Sequence, residues 1–393
     1  MSSTDPHDEV REPSPQTDAS SAEHQQPSKR DRTGVLLAAG LAVAVVSAGI
    51  GAAVAVAVHQ PRSASSTTVT APNPANQPAV GAGSIEGVAA KVVPSVVRLE
   101  TTAGGQSQEG SGIVLSADGL IITNAHVVSS AASPQRGAVG PLTTRVTFSD
   151  GRRAPFSVVG TDPSSDIGVV RCQGVSGLSP IVLGSSTNLR VGQQVVAVGA
   201  PLGLQNTVTA GIVSALNRPV STTGDASNQN TVLDAVQTDA AINPGNSGGA
   251  LVNMSSELIG VNAAIATMSG GIFGGPAGSI GLGFAIPVDQ AKRIADELIA
   301  TGHATHAALG VQVADDPTIT GARIAAVTSG GPAAAAGLPT GALVTKLNER
   351  VIDSANALVA AVRSRPPGDK VSLTYVDPSG STKTAQVTLG QTP

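Results

Sequence analysis

The chain has 393 residues, enough for two folded domains with tails. Its net charge of −4, without any Lys/Arg stripe interleaved with aromatics, argues against a nucleic-acid partner. A single cysteine precludes an intramolecular disulfide, and four Phe, one Tyr and no Trp leave the cores to Val, Ile, Leu and Ala.

Residues 1–33 are rich in Ser, Pro, Gln, Asp and Glu and have no apolar run, which predicts a disordered tail. Residues 34–58, from Gly34 to Val58, then carry no charge. At about 1.5 Å per residue a helix of that length spans a bilayer, whereas a secretory signal has an apolar core of roughly 7–15 residues. Lys29, Arg30 and Arg32 precede this segment closely and only Arg62 follows it closely. The positive-inside rule therefore places the N-terminus in the cytoplasm and the rest of the chain outside, at a cell membrane crossed once. Residues 59–84, rich in Pro, Ser, Thr, Asn and Ala, read as a flexible linker.

From Ile85 the pattern changes to short β-branched runs between Gly-rich turns. Strands are predicted at Ser95–Glu100, Gly112–Ser116, Leu120–Thr123, Thr144–Phe148, Ser157–Val159, Ile167–Arg171, Gln194–Val198, Thr207–Ser214, Ala250–Val252, Leu258–Ala264 and Gly281–Ile286. Many short strands with no regular helices between them indicate a mainly β sandwich or barrel. Over Val288–Ala300 the period becomes helical, with Val288, Ala291, Ile294, Ala295, Leu298 and Ile299 on one stripe and Gly302 placed to end it. The first folded domain is thus read over 85–303. A second unit, 304–393, alternates strands with short helices near Pro332–Gly337 and Ser354–Ser364, as in a small α/β module.

One serine has the partners that would make it a nucleophile. Ser247 lies in Gly245-Asn246-Ser247-Gly248-Gly249. Of the six histidines only His126, in TNAHVV, lies inside the folded segment around it, and Asp166, in SSDIGVV, stands between the two. A serine hydroxyl attacks when an imidazole takes its proton and a carboxylate holds that imidazole in the right tautomer. The order His, Asp, Ser is that of chymotrypsin-like enzymes. The oxyanion of acyl transfer needs two donors already in place, and the N–H groups of Gly245 and Ser247 can supply them if the chain turns tightly between them.

The segments TNAHVV, SSDIGVV, VVAVGAPLGL, TDAAINPGNSGGALVN and GLGFAIP resemble the trypsin-like domain of the HtrA/Deg serine proteases. The stretch from Ala308-Leu309-Gly310-Val311 through Gly331 to Leu338 resembles their PDZ domain. The resemblance covers about residues 85–390 and implies a chymotrypsin/trypsin-like double β-barrel followed by a PDZ domain. It also implies an ATP-independent serine endopeptidase of extracytoplasmic protein quality control, assembled as a homo-oligomer, a trimer. On it, His126 is base and then acid, Asp166 its orienter and Ser247 the nucleophile. Gly245, Asn246 and Ser247 frame the oxyanion hole, and Gly283, Phe284 and Ala285 pair with substrate backbone. Ala241 stands six before the nucleophile, where trypsin-type enzymes carry the Asp that selects Lys or Arg. A small or medium apolar residue before the scissile bond is therefore expected. Leu309, Gly310 and Val311 form the cradle for a C-terminal peptide, and unfolded or partly folded proteins are the expected substrates. No metal or cofactor is expected.

Other features have plainer readings. Cys172 reads as a small strand residue, because no second Cys or flanking His supports reactivity. His303 and His306 read as exposed residues between the domains. The competing functional class is a non-catalytic chaperone or sensor on a protease fold, which the complete triad disfavours.

Overall fold

In the computed structural model, residues 81, 83–103, 106–132, 141–200, 206–222, 231–264, 281–314 and 318–392 are described. The tail expected at 1–33, the membrane helix at 34–58 and nearly all of the linker at 59–84 lie outside them. Among the described residues no helix is long and apolar enough to cross a membrane.

Helix α1 (Ile85–Val92) starts at Ser84, whose hydroxyl accepts the Gly87 N–H at 3.0 Å. Such a cap is worth about 1 kcal/mol. Glu86 in the first turn and Lys91 in the last match the helix dipole, and Val88 and Val92 are buried. The first sheet follows: β1 (Val96–Ala103), β2 (Gln106–Val114), β3 (Leu120–Thr123), β4 (Thr143–Thr147), β5 (Arg153–Ala154), β6 (Phe156–Asp162) and β7 (Ile167–Cys172). Its strand order is β5-β4-β1-β2-β3-β7-β6. Helix α2 (Ala125–Ala132) interrupts it between β3 and β4, contrary to the expectation of no regular helix among the strands. The β-branched pair Val127 and Val128 hides this helix in the sequence, and packing on β1 and β6 stabilises it against weak propensity.

The second sheet comprises β8 (Val182–Leu183), β9 (Gln194–Gly199), β10 (Thr207–Thr222), β11 (Thr231–Thr238), β12 (Ala250–Asn253), β13 (Glu257–Ala263) and β14 (Gly283–Pro287). Its order is β12-β9-β10-β11-β14-β13-β8, and β12 also pairs with β13, which closes a barrel. One apolar cluster fills the first sheet (Leu99, Ile121, Val146) and another fills the second (Val213, Ile242, Leu251). A third, with Ile113, Val198 and Leu233, draws residues from both sheets and from α1.

Helix α3 (Val288–Thr301) lays Val288, Ala291, Ile294, Ala295 and Leu298 on that shared cluster. Ile299, assigned to the same stripe, is 38% exposed. Gly302 ends the helix in the left-handed conformation that favours glycine, and its N–H meets the Leu298 carbonyl.

The last segment has its own core, around Ile324, Val344, Leu358 and Leu373. It contains β15 (His306–Ala308), β16 (Val311–Ala314), β17 (Ala322–Val327), α4 (Pro332–Ala335), β18 (Leu343–Leu347), β19 (Arg350–Val351), α5 (Ala355–Arg363), β20 (Lys370–Val376), β21 (Thr382–Thr388) and β22 (Gly390–Thr392). β16 is the terminal strand of the order β16-β17-β18-β20-β21, and β15 pairs with β22. Residues 78–393 form one compact unit. Within it α5 packs on β10 and β11, Arg350 Nη1 reaches Asp234 Oδ2 at 2.7 Å, and Arg350 Nη2 reaches the Asn217 carbonyl at 2.8 Å.

His306 departs from its reading as an exposed linker residue. It is buried, and its Nε2 lies 3.0 Å from Asp162 Oδ1. The β15–β22 pairing, which no local sequence signal announces, holds it there.

Candidate active site

Asp166 occupies a turn between β6 and β7 and has φ 53°, a region that Asp tolerates better than most side chains. Tethers justify that conformation. Asn124 Nδ2 donates to the Asp166 carbonyl at 3.0 Å, and the His126 backbone N–H donates to Oδ1 at 3.1 Å. The His126 ring follows, with Nδ1 3.0 Å from each carboxylate oxygen. The carboxylate is almost fully enclosed, whereas the imidazole is 38% exposed. A carboxylate so placed fixes Nδ1 as the protonated nitrogen and leaves Nε2 as a proton acceptor.

Ser247 comes from the loop between β11 and β12 and is buried. Two glycines let that loop sit close against both sheets. A Cβ on Gly248, at φ 82°, would fall 2.2 Å from the Ser111 carbonyl, 2.3 Å from Thr123 Oγ1 and 3.2 Å from the Asn124 nitrogen. On Gly249 it would fall 2.3 Å from the Val198 carbonyl. The segment carrying Ser247 thus abuts the segment carrying His126. The Ser247 Oγ accepts the Ala264 N–H at 3.1 Å, which leaves its own proton to donate.

The turn before it is ordered. Asn246 donates its N–H to the Asn243 carbonyl at 2.9 Å, and Gly245 has φ 95°. Among the described residues neither the Gly245 nor the Ser247 N–H has a hydrogen-bond partner. These are the two donors expected from the sequence. Asn246 lies between them and is not one of the two donors. Its N–H is used inside the turn, and its side chain points inward, where Oδ1 lies 2.4 Å from the place a Gly199 Cβ would take.

Phe284 and Ala285, assigned to substrate pairing, lie instead inside the sheet, whereas Gly283 has a strand partner, Thr238, on one side only. β14 is an inner strand, with Phe284 opposite Gln237 on one side and Ala263 on the other. A strand bonded along both edges has no backbone left for a peptide. The strand that runs out to Ser247 is β13, through Ala263 and Ala264. Ala241 lies between β11 and Ser247, and its carbonyl accepts from Thr209 Oγ1 at 3.0 Å. The nearby Asp239 spends Oδ1 on the Ile212 N–H at 2.7 Å.

In the last segment the Leu309 side chain is buried in the local core, so only its backbone remains for a ligand. Gly310 has φ 73°, its carbonyl accepts the Thr328 N–H, and Val311 opens the terminal strand β16. The sequence reading missed Ser111 and Asn124, which hold the nucleophile turn and the Asp166 turn. Their only sequence signals are a Gly-Ser-Gly at 110–112 and the Asn two places before His126. Among the described residues no cluster suited to a metal ion occurs.

Known proteins resemble this chain in sequence and fold. A trypsin-like peptidase domain model matches residues 110–261, which include His126, Asp166 and Ser247, and a PDZ domain model matches residues 307–389. The serine protease PepD of Mycobacterium tuberculosis is 64% identical over 92% of this chain and 79% of its own length. The periplasmic serine endoprotease DegP of Escherichia coli is 39% identical over 69% of this chain, which spans only 55% of DegP. Among solved structures, the HtrA-type protease AlgW with a tripeptide is 33% identical, covering 79% of this chain and 98% of that one at a TM-score of 0.57. The chain belongs to the HtrA/DegP family of serine endopeptidases, with a trypsin-like peptidase domain and one PDZ domain.

Proposed function

We propose that this endopeptidase cleaves unfolded or partly folded proteins on the outer side of a membrane, to which residues 34–58 anchor it with the N-terminus in the cytoplasm. His126 takes the Ser247 proton as the hydroxyl attacks the scissile carbonyl, then returns it to the leaving amine. Asp166 stabilises the imidazolium formed between these steps. The Gly245 and Ser247 N–H groups receive the oxyanion. The observation that carries this reading is the His126 ring clamped on Asp166, beside a turn at Ser247 whose Gly245 and Ser247 N–H groups have no partner among the described residues.

The P1 side chain is small or medium and apolar, such as Val, Ala or Leu. This rests on Ala241 standing where a carboxylate would select a cation, and on Asp239 being engaged with backbone. Peptides ending in a free carboxylate add to the edge of β16, with the Leu309–Val311 backbone as the cradle. The working form is a homo-oligomer, a trimer as in the family resemblance.

The test is a fluorophosphonate probe applied to the fragment starting at Gly81 and to its Ser247→Ala variant, with and without a hydrophobic C-terminal peptide. Labelling lost in the variant is the expected result. Absence of labelling from folded protein in both conditions sinks the mechanism. A peptide-library digest with cleavage confined to Lys and Arg sinks the P1 assignment.

A further inference from the structure

Ser111 is fully buried in β2, and each of its polar groups is engaged. Its N–H donates to the Ser247 carbonyl at 2.8 Å, and its carbonyl accepts from Thr123 Oγ1 at 2.6 Å. Its hydroxyl donates to the Gly245 carbonyl at 2.6 Å and accepts the Ala200 N–H at 2.8 Å. The Ser111 side chain therefore ties the end of β9 to the turn before Ser247, while its backbone holds Ser247 and the chain leading to His126.

The hydroxyl matters because of where Gly245 lies. Glycine has no Cβ to limit its backbone, so a turn containing it needs an outside anchor to hold one conformation. The Gly245–Asn246 peptide is fixed at both ends, its carbonyl by Ser111 Oγ and its N–H by the Asn243 carbonyl. This peptide lies directly between the two unpaired N–H groups. If it rotates, the Gly245 and Ser247 N–H groups on either side of it are re-aimed, and an oxyanion loses a donor.

We propose that Ser111 is a positioning residue for the oxyanion site, acting through the Gly245–Asn246 peptide rather than touching substrate. The inference rests on the assignment of Gly245 and Ser247 as the oxyanion donors. A purely structural role would lower stability and leave the turnover of folded molecules unchanged.

The experiment compares Ser111→Ala, Ser111→Thr and Ser247→Ala in the full chain on a chromogenic peptide, together with affinity for a peptide boronate. The tetrahedral boronate oxygen takes the place of the oxyanion. Removing one oxyanion donor typically costs about 10²–10³-fold in kcat, so a misaimed donor in Ser111→Ala is expected to lower kcat by about 10²-fold with KM little changed. Boronate affinity falls in parallel, and Ser111→Thr, which restores a hydroxyl, recovers most of the rate. If Ser111→Ala does not fold, Ser111→Cys, which keeps the volume with a weak donor, carries the same comparison.

Three results overturn the proposal. They are a folded Ser111→Ala with wild-type kcat, a slow variant with unchanged boronate affinity, and a folded Ser111→Thr as slow as Ser111→Ala. Turnover persisting in Ser247→Ala would instead remove the assignment of the nucleophile, and this inference with it.

Discussion

Asp166 Oδ1 accepts two bonds from one residue, the ring N–H of His126 at 3.0 Å and its backbone N–H at 3.1 Å. The carboxylate thereby sets both the tautomer of the imidazole and the path of the chain that carries it. Asp166→Asn puts an amide in this place and favours the wrong tautomer. Its kcat on a peptide substrate is expected to fall by about 10³–10⁴-fold with KM little changed. A loss below tenfold would mean that Asp166 does not orient the base.

The buried Asp162 gives a pH-dependent prediction. Burial alone would raise its carboxyl, but the His306 hydrogen bond and charge, with Ser165 and the Ser164 N–H, more than offset that and hold it below the usual carboxylate range. A depressed native value means stability that is present above the unfolded value, near 3.8, and lost as pH falls through the native one. Wild type should therefore melt well above Asp162→Asn at pH 6, and the gap should close as pH falls below about 3.8. Melting curves at pH 6, 4, 3 and 2 check this. A gap that is constant or widens toward acid contradicts the linkage.

Arg350 and Asp234 form a largely buried pair between the PDZ domain and β11. Arg350→Ala strands the Asp234 carboxylate, at an expected cost on the order of 3 kcal/mol in urea unfolding. Replacing both partners, as Arg350→Met with Asp234→Leu, should recover most of that loss. A double-mutant cycle with coupling below about 0.5 kcal/mol would show the contact to be incidental.

Cys172 is buried in the first sheet, and burial pushes its thiol up to about 11. At pH 8 a thiol reagent is expected to leave the native protein untouched and to titrate one thiol after unfolding. Fast reaction of the native form would assign Cys172 a chemical role.

Much of this was legible from local pattern. β3 has the bounds Leu120–Thr123 that its β-branched run predicts, and β9, predicted over Gln194–Val198, runs one residue further to Gly199. GLGFAIP, assigned to the trypsin-like domain, runs into β14 of the second sheet, which begins at Gly283. The failures trace to long-range partners. β11 was missed because Asp234 interrupts its apolar run, and the cation that accommodates Asp234 lies at position 350. His306 looked like linker because its carboxylate is 144 positions earlier. β14 was given a free edge because strand order in a closed sheet cannot be read from one strand. Ser111 stayed invisible because its partners, Gly245 and Ala200, are backbone groups far along the chain.

The His306–Asp162 contact changes what it means to study the peptidase domain alone. A fragment stopped at 303 keeps Asp162 and deletes the imidazole seated on it. Asp162 also holds Ser164 and Ser165, the two residues immediately before Asp166. Trimming away the PDZ domain is then not a neutral subtraction. It uncorks a sealed carboxylate at the foot of Asp166, and slower turnover by such a fragment would report that wound as much as the loss of peptide capture.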